Sequence, residues 1–278
     1  MPGENGVMPD EQEYARNRIT QSARWPLLLR IPPGTLILAV LGWLVLAWTV
    51  FIAVDILRVV DLGMNSPMWR HLFNNRPIEW TQWLILACAV VAAAYLAGRL
   101  HSETHAMVSR FFLLLAIGLG LMLIEEAGDI RHAISGYVYR LFGSEVFGLH
   151  YRVVSDVPYF AALAAVPLYA VLGYGRYVWE SVKIRFYLVS GVGLYALAAM
   201  SSGFRTLGDL YIGLGAFVDG ALFANRFPVP EGMTQTRAHF FLVDSVLEES
   251  VELLAAAMML AAILAFASDV RSRPERGE

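Results

Sequence analysis

The chain has 278 residues, 57% of them hydrophobic and 16% charged, and a mean hydropathy of +0.54, far from the composition of a water-soluble globular domain. A net charge of −3, with no basic stripe interleaved with aromatics, excludes a nucleic-acid partner. The single cysteine, Cys88, excludes an intramolecular disulfide, a zinc ribbon and a CxxC redox centre.

In chain order, residues 1–32 form a polar segment of mixed charge, with Glu4, Asp10, Glu11 and Glu13 beside Arg16, Arg18, Arg24 and Arg30. A signal peptide has instead a short basic stretch before its apolar core, so no cleavage is expected. Apolar runs follow at 34–57, 80–98, 107–128, 154–174, 185–204 and 239–268. Each is long enough to cross a hydrocarbon core of about 30 Å at about 1.5 Å per residue. The expectation is an all-α polytopic membrane protein, a bundle of six transmembrane helices over residues 33–270, with a short tail at 271–278. Trp80 and Trp83 at the start of the second run read as an interfacial belt, and Trp25 and Trp179 as its counterpart at the opposite interface. Lys and Arg fall more heavily on the side of the N-terminus. That bias puts both termini in the cytoplasm, and the arginine-rich usage suits the cytoplasmic (inner) membrane of a bacterium or archaeon.

Residues 205–237 fit no span. They combine Gly208, Gly213, Gly215 and Gly220 with the apolar Tyr211-Ile212 and Ala216-Phe217-Val218 and the breakers Pro228 and Pro230. They read equally well as a re-entrant segment lying over a site as a lid and as an extracytoplasmic loop with a short amphipathic helix.

The chemistry sits on the third and sixth runs. Glu125, Asp129 and His132 are spaced i, i+4 and i+7, one stripe of a continuous helix, with Glu126 about a quarter-turn aside and Gly118 leaving room for another backbone. Asp244, Glu248 and Glu252 follow the same logic on the sixth run at i, i+4 and i+8, with Glu249 beside Glu252 at i+3 spacing. Ionisable groups at membrane depth cost roughly 2.5–3.5 kcal/mol each on the mildest insertion scale and mark a functional interior. Alternating direction places both stripes in the outer half of the bilayer, so the two helices are expected to pack side by side and antiparallel. Asp55, Asp61, Arg152, Asp156, Arg205 and Asp209 lie at the same depth, and His150 stands close by in the loop. The inner halves of five runs carry no charged residue or histidine, which argues for a one-sided pocket rather than a through-pathway.

Three readings follow. The sharpest is a divalent-metal site with Glu125, Asp129, His132, Glu248 and Glu252 as ligands and Glu126, Glu249 and Asp244 as acid–base groups, acting on an amphiphilic, lipid-like substrate. The Asp129-x-x-His132 spacing is similar to the Glu-x-x-His pairs of ferritin-like bundle proteins, but the sixth run has Glu249-x-x-Glu252 and no histidine, which His150 would have to supply. Oxygen-rich ligands favour Fe, Mn, Mg or Ca. The second reading is metal-free acid–base chemistry or proton- or cation-coupled transport, with His132 as proton partner. The third is a structural or accessory subunit, paired with another membrane protein or a second copy, whose acids are satisfied by Arg131, Arg152 and Arg205. Reaction type is not written in the sequence.

Overall fold

The computed structural model of the protein describes residues 25–60, 66–74, 77–101, 105–179 and 181–272. The charged residues of the N-terminal segment up to Arg24, Asp61, and the last residues of the tail, lie outside that set. Six helices are long and apolar enough to cross a membrane. The helices are α1 (Pro33–Phe51), a short α2 (Met68–Leu72), α3 (Pro77–Arg99), α4 (Ala106–Gly128), α5 (Ile130–Phe142), α6 (Tyr151–Tyr174), α7 (Val182–Phe204), α8 (Leu210–Phe223), α9 (Gln235–Phe241) and α10 (Glu248–Ser272). Glu145–Val146 and Leu149–His150 pair as a two-stranded antiparallel hairpin before α6. Pro33 opens α1, where its missing N–H costs nothing and its fixed φ suits the first turn.

Helix α10 is the axis of the bundle and packs on α7, α3 and α1. Its run of Ala255, Ala256, Ala257, Ala261 and Ala262 is buried, since small side chains let neighbouring backbones approach where lipid offers no hydrophobic drive to associate. Helix α4 packs on α3 and α6 instead. The expected side-by-side packing of the third and sixth runs is therefore corrected. Helices α4 and α10 touch through Phe112 and Phe266, whose ring centroids are 4.7 Å apart, but at the other end a cavity holds them apart and their acidic residues face each other across it.

The two ends of the bundle differ. At one, Trp25 lies under the guanidinium of Arg99 at 4.6 Å and near that of Arg271 at 5.9 Å, tying the start of the chain to the ends of α3 and α10. At the other, the 205–237 segment is a helical hairpin. The 14-residue apolar α8 leads through an extended stretch into α9, which continues through one π-helical segment, Leu242–Leu247, into α10. Gly215 of α8 lies against the backbone carbonyl of His239, leaving no space for a side chain. Asp219, fully buried, accepts from the Phe227 amide at 2.9 Å and the Gln235 amide at 3.3 Å and meets His239 Nε2 at 2.9 Å. Phe223 and Phe227 pack on Phe51 at 5.6 and 6.0 Å. The segment is thus docked by aromatic contacts and a saturated buried carboxylate, and its 14-residue α8 is shorter than any of the six spanning helices.

Gly118 has the job its position on the third run suggested, though for a different partner. A Cβ there would come 2.7 Å from Pro167 Cδ of α6, a ring that cannot swing away, whereas one at Gly120 would meet only Val90 at 4.0 Å. Gly118→Ala is expected to lower stability by about 1–3 kcal/mol through overpacking, with Gly120→Ala near neutral. Thermal unfolding of both variants in detergent checks this, and equal melting temperatures would contradict the close approach.

Candidate functional site: an acidic pocket

The third run does not carry its stripe unbroken. Helix α4 stops at Gly128, and Asp129 adopts the left-handed conformation, φ 49° and ψ 39°, which Asp tolerates better than most residues. The chain restarts as α5. Asp129 and His132 therefore belong to the second helix, not to the stripe of Glu125, and this corrects the i, i+4, i+7 expectation. The break has a use. The Arg131 amide, in the first turn of α5, donates to both oxygens of Glu125, at 3.4 and 3.2 Å, so Glu125 caps the new helix and meets its positive dipole end. Tyr159 donates its hydroxyl to the same carboxylate.

On the sixth run the π-helical segment adds a residue to the turn that carries Asp244, so the regular i, i+4, i+8 register is also lost. Single π turns gather at functional sites because they re-aim side chains without ending the helix. Here Asp244, Ser245, Glu248, Glu249 and Glu252 all reach the pocket wall.

The pocket holds about 320 Å³. Glu125, Glu126, Asp129 and His132 come to it from one side, and Asp244, Glu248, Glu249 and Glu252 from the other. Glu79 and Trp83 of α3 close it, as does Arg205 at the end of α7. Two residues of α3 add to what the sequence suggested. Trp83, expected at the interface, lines the pocket, and its buried indole N–H has no acceptor among the described residues. Gln82, a polar residue in an apolar run, is fully buried and donates to Glu252 at 3.2 Å; its polarity was the signal. Tyr211 of α8, also buried, donates to Glu248 at 2.7 Å. Asp55 is elsewhere, accepting from the Met68 and Trp69 amides at 2.8 Å each and so capping α2. His150 is not on the wall. It caps α6, its Nδ1 accepting from the Arg152 amide at 3.3 Å, and cannot stand in for a missing histidine ligand.

Two arginines enter the site. Arg205, 3% exposed at its side chain, reaches Asp244 at 3.0 Å, Asp156 at 3.5 Å and His132 Nε2 at 3.2 Å. Asp156 in turn accepts from Ser155 at 2.7 Å. Arg131 donates to Ser202, lies 5.1 Å from the Phe160 ring centroid and stands 3.9 Å from Glu125. Burial opposes the Arg131 charge, but Glu248, Asp156, Glu126 and Asp244 outweigh it and raise its pKa. His132 pairs with Asp129 at the solvent edge. The cations thus sit with Glu125, Asp129, Asp156 and Asp244. Among the described residues Glu126, Glu248, Glu249 and Glu252 have no Lys, Arg or His within 4.0 Å, and the buried Glu249 Oε2 has no donor among them. Among the described residues no three His, Cys, Asp or Glu side chains converge closely enough to hold a metal ion as they stand.

A second cavity of about 120 Å³ adjoins the first and shares Glu126, Phe160 and Glu252 with it. Apart from Tyr195 its other walls are apolar, including Leu119, Pro167, Leu168, Ala196 and Met259. Leu168 is also exposed on the flank of the bundle. Comparison with known proteins returned no matching family model, no similar curated protein and no similar solved structure.

The ion pairs of Arg205 make it the keystone of this end of the bundle. Arg205→Ala is expected to destabilise by about 3–5 kcal/mol, because it strands two carboxylates in low dielectric. Adding Asp156→Asn and Asp244→Asn should recover part of the loss. Chemical unfolding of the single and triple variants checks this, and a triple variant no more stable than the single one would contradict it.

Proposed function

We propose that this is a membrane-embedded cation-binding protein whose acidic pocket takes a divalent metal ion and presents it to an amphiphilic molecule arriving through the adjoining apolar cavity. One observation carries the reading. Glu126, Glu248, Glu249 and Glu252 share a cavity wall with no cation within 4.0 Å among the described residues, and Arg131 acts on Glu248 and Glu126 only at longer range, so part of their charge is left for a mobile cation to balance. Isolated carboxylates are too costly to bury uncompensated, and all-oxygen ligands suit Mg, Mn, Ca or Fe.

The ligand set proposed here shifts from the one expected from sequence. Glu248 and Glu252 stay, whereas Glu126 and Glu249 move from acid–base roles to ligands. Glu125 is held as a helix cap, and Asp129 with His132 guards the rim. Asp244, held by Arg205, is a positioning group. Binding would draw the four glutamates inward, supported by the hydrogen bonds that Tyr211 and Gln82 give to Glu248 and Glu252. The shared Glu126 and Glu252 would bring a polar head to the ion while its apolar part stays in the second cavity, the arrangement of an enzyme acting on a lipid-like substrate.

A second reading, a structural subunit, is favoured by the ion pairs of Arg205 and the contacts of Arg131, which show that part of the acid is already compensated. Elemental analysis of protein purified in detergent without chelator separates the two. The metal reading expects close to one equivalent of a divalent metal, lost in Glu248→Gln/Glu252→Gln while the fold persists. Wild-type protein that carries no metal, and gains no thermal stability from Mg, Mn, Ca or Fe, would contradict it and leave the structural reading.

A further inference from the structure

A wider vestibule of about 420 Å³ adjoins the acidic pocket and shares His132, Arg205, Phe241 and Asp244 with its wall. The charge changes sign between them. The vestibule adds Arg152 and Arg237 and the side chains of Thr234 and Thr236 to its wall. Its one carboxylate, Asp244, is already paired with Arg205.

Arg152 and Arg237 have no carboxylate within 4.0 Å among the described residues. Each is steadied by an aromatic neighbour: Arg152 Nε donates to the Tyr151 hydroxyl at 3.2 Å, and the Arg237 guanidinium lies 5.7 Å from the Phe241 ring centroid. Such contacts orient a guanidinium without using its charge. Arg205, which also lines the vestibule, has a buried Nε with no partner among the described residues. The field of the arginines is felt nearby: His150 has its pKa lowered first by burial and then by Arg152, with Arg205 adding to the effect and Asp156 and Glu145 opposing it.

We propose that the vestibule is an anion site for a phosphate-type oxyanion, gripped by Arg152 and Arg237 with threonine hydroxyls beside them and Arg205 behind. Guanidinium forks match the geometry of such oxygens and hold them with charge-assisted hydrogen bonds. The inference deepens the proposed function, on which it rests for its biological meaning: the amphiphile brought to the metal would bear a phosphate-type head. The same chemistry could come from a lipid headgroup or from a soluble phosphate.

The test works without the metal. In chelator-treated full-length protein, binding of inorganic phosphate is followed by calorimetry, and binding of phosphatidic acid against phosphatidylcholine by native mass spectrometry from mixed micelles. Wild type, Arg152→Gln/Arg237→Gln and the control Arg140→Gln are compared after a melting check. Saturable binding of either probe, weakened at least about tenfold in the double variant and unchanged in the control, supports the site. Phosphate alone points to a soluble source, and phosphatidic acid alone to a headgroup. Absence of both in wild type, or affinity unchanged in the double variant, overturns it. Should the double variant unfold, Arg237→Gln alone, an exposed position, and loss of wild-type binding at high ionic strength decide instead. Because Glu248→Gln/Glu252→Gln keeps these arginines, failure of the metal reading leaves this result untouched.

Discussion

Like charges held together where water cannot screen them are the constraint on which this molecule turns. Two unit charges about 4 Å apart cost about 4 kcal/mol even at an effective dielectric of about 20, and a folded membrane protein has only about 5–15 kcal/mol to spend in total. A chain that points so many carboxylates at one cavity must supply compensation for each. The fold does so unevenly. A backbone amide and a tyrosine serve Glu125, Arg205 serves Asp156 and Asp244, and Gln82 and Tyr211 each give one neutral hydrogen bond to a glutamate that has no cation within 4.0 Å among the described residues.

Local irregularities are how the helices reach that arrangement. A regular α-helix through 125–132 would have kept Asp129 and His132 on the stripe of Glu125. The left-handed Asp129 turns the chain instead, which leaves the Arg131 amide free for Glu125 to cap and sends the Arg131 side chain toward α7. The π-helical segment before Glu248 does the same for Asp244, aiming it at Arg205. The short hairpin of α8 and α9 then contributes Tyr211 from outside the spanning set. Buried charge is concentrated at one end of the bundle, while the alanine-rich length of α10 makes a tight apolar stem.

Much of this could be read from residues alone, and the reason is thermodynamic. Spans announce themselves because lipid demands long apolar runs, and acids within those runs stand out because lipid penalises them. The pocket's two faces were therefore visible as Glu125-Glu126 and Glu248 to Glu252. What stayed hidden depends on tertiary context. Neither the left-handed Asp129 nor the π segment has a sequence signature, so the inferred stripes were too regular. The helices bearing them were brought into direct packing, although α3, α6 and α7 supply much of the cavity's enclosure. Trp83 was read as an interface residue because aromatic belts and pocket walls share a residue type at the same depth. Gln82 and Arg205 were legible as polar groups, but their partners were not.

The account's centre is that the glutamate quartet is completed by a cation from outside the chain. An experimental structure of the protein equilibrated with Mn²⁺, with the ion located by its anomalous scattering, addresses this most directly. The account predicts a peak bound by carboxylate oxygens of at least two of Glu126, Glu248, Glu249 and Glu252, at about 2.0–2.6 Å. A map with no ion in the pocket and those four side chains paired with arginines or turned toward lipid would contradict it.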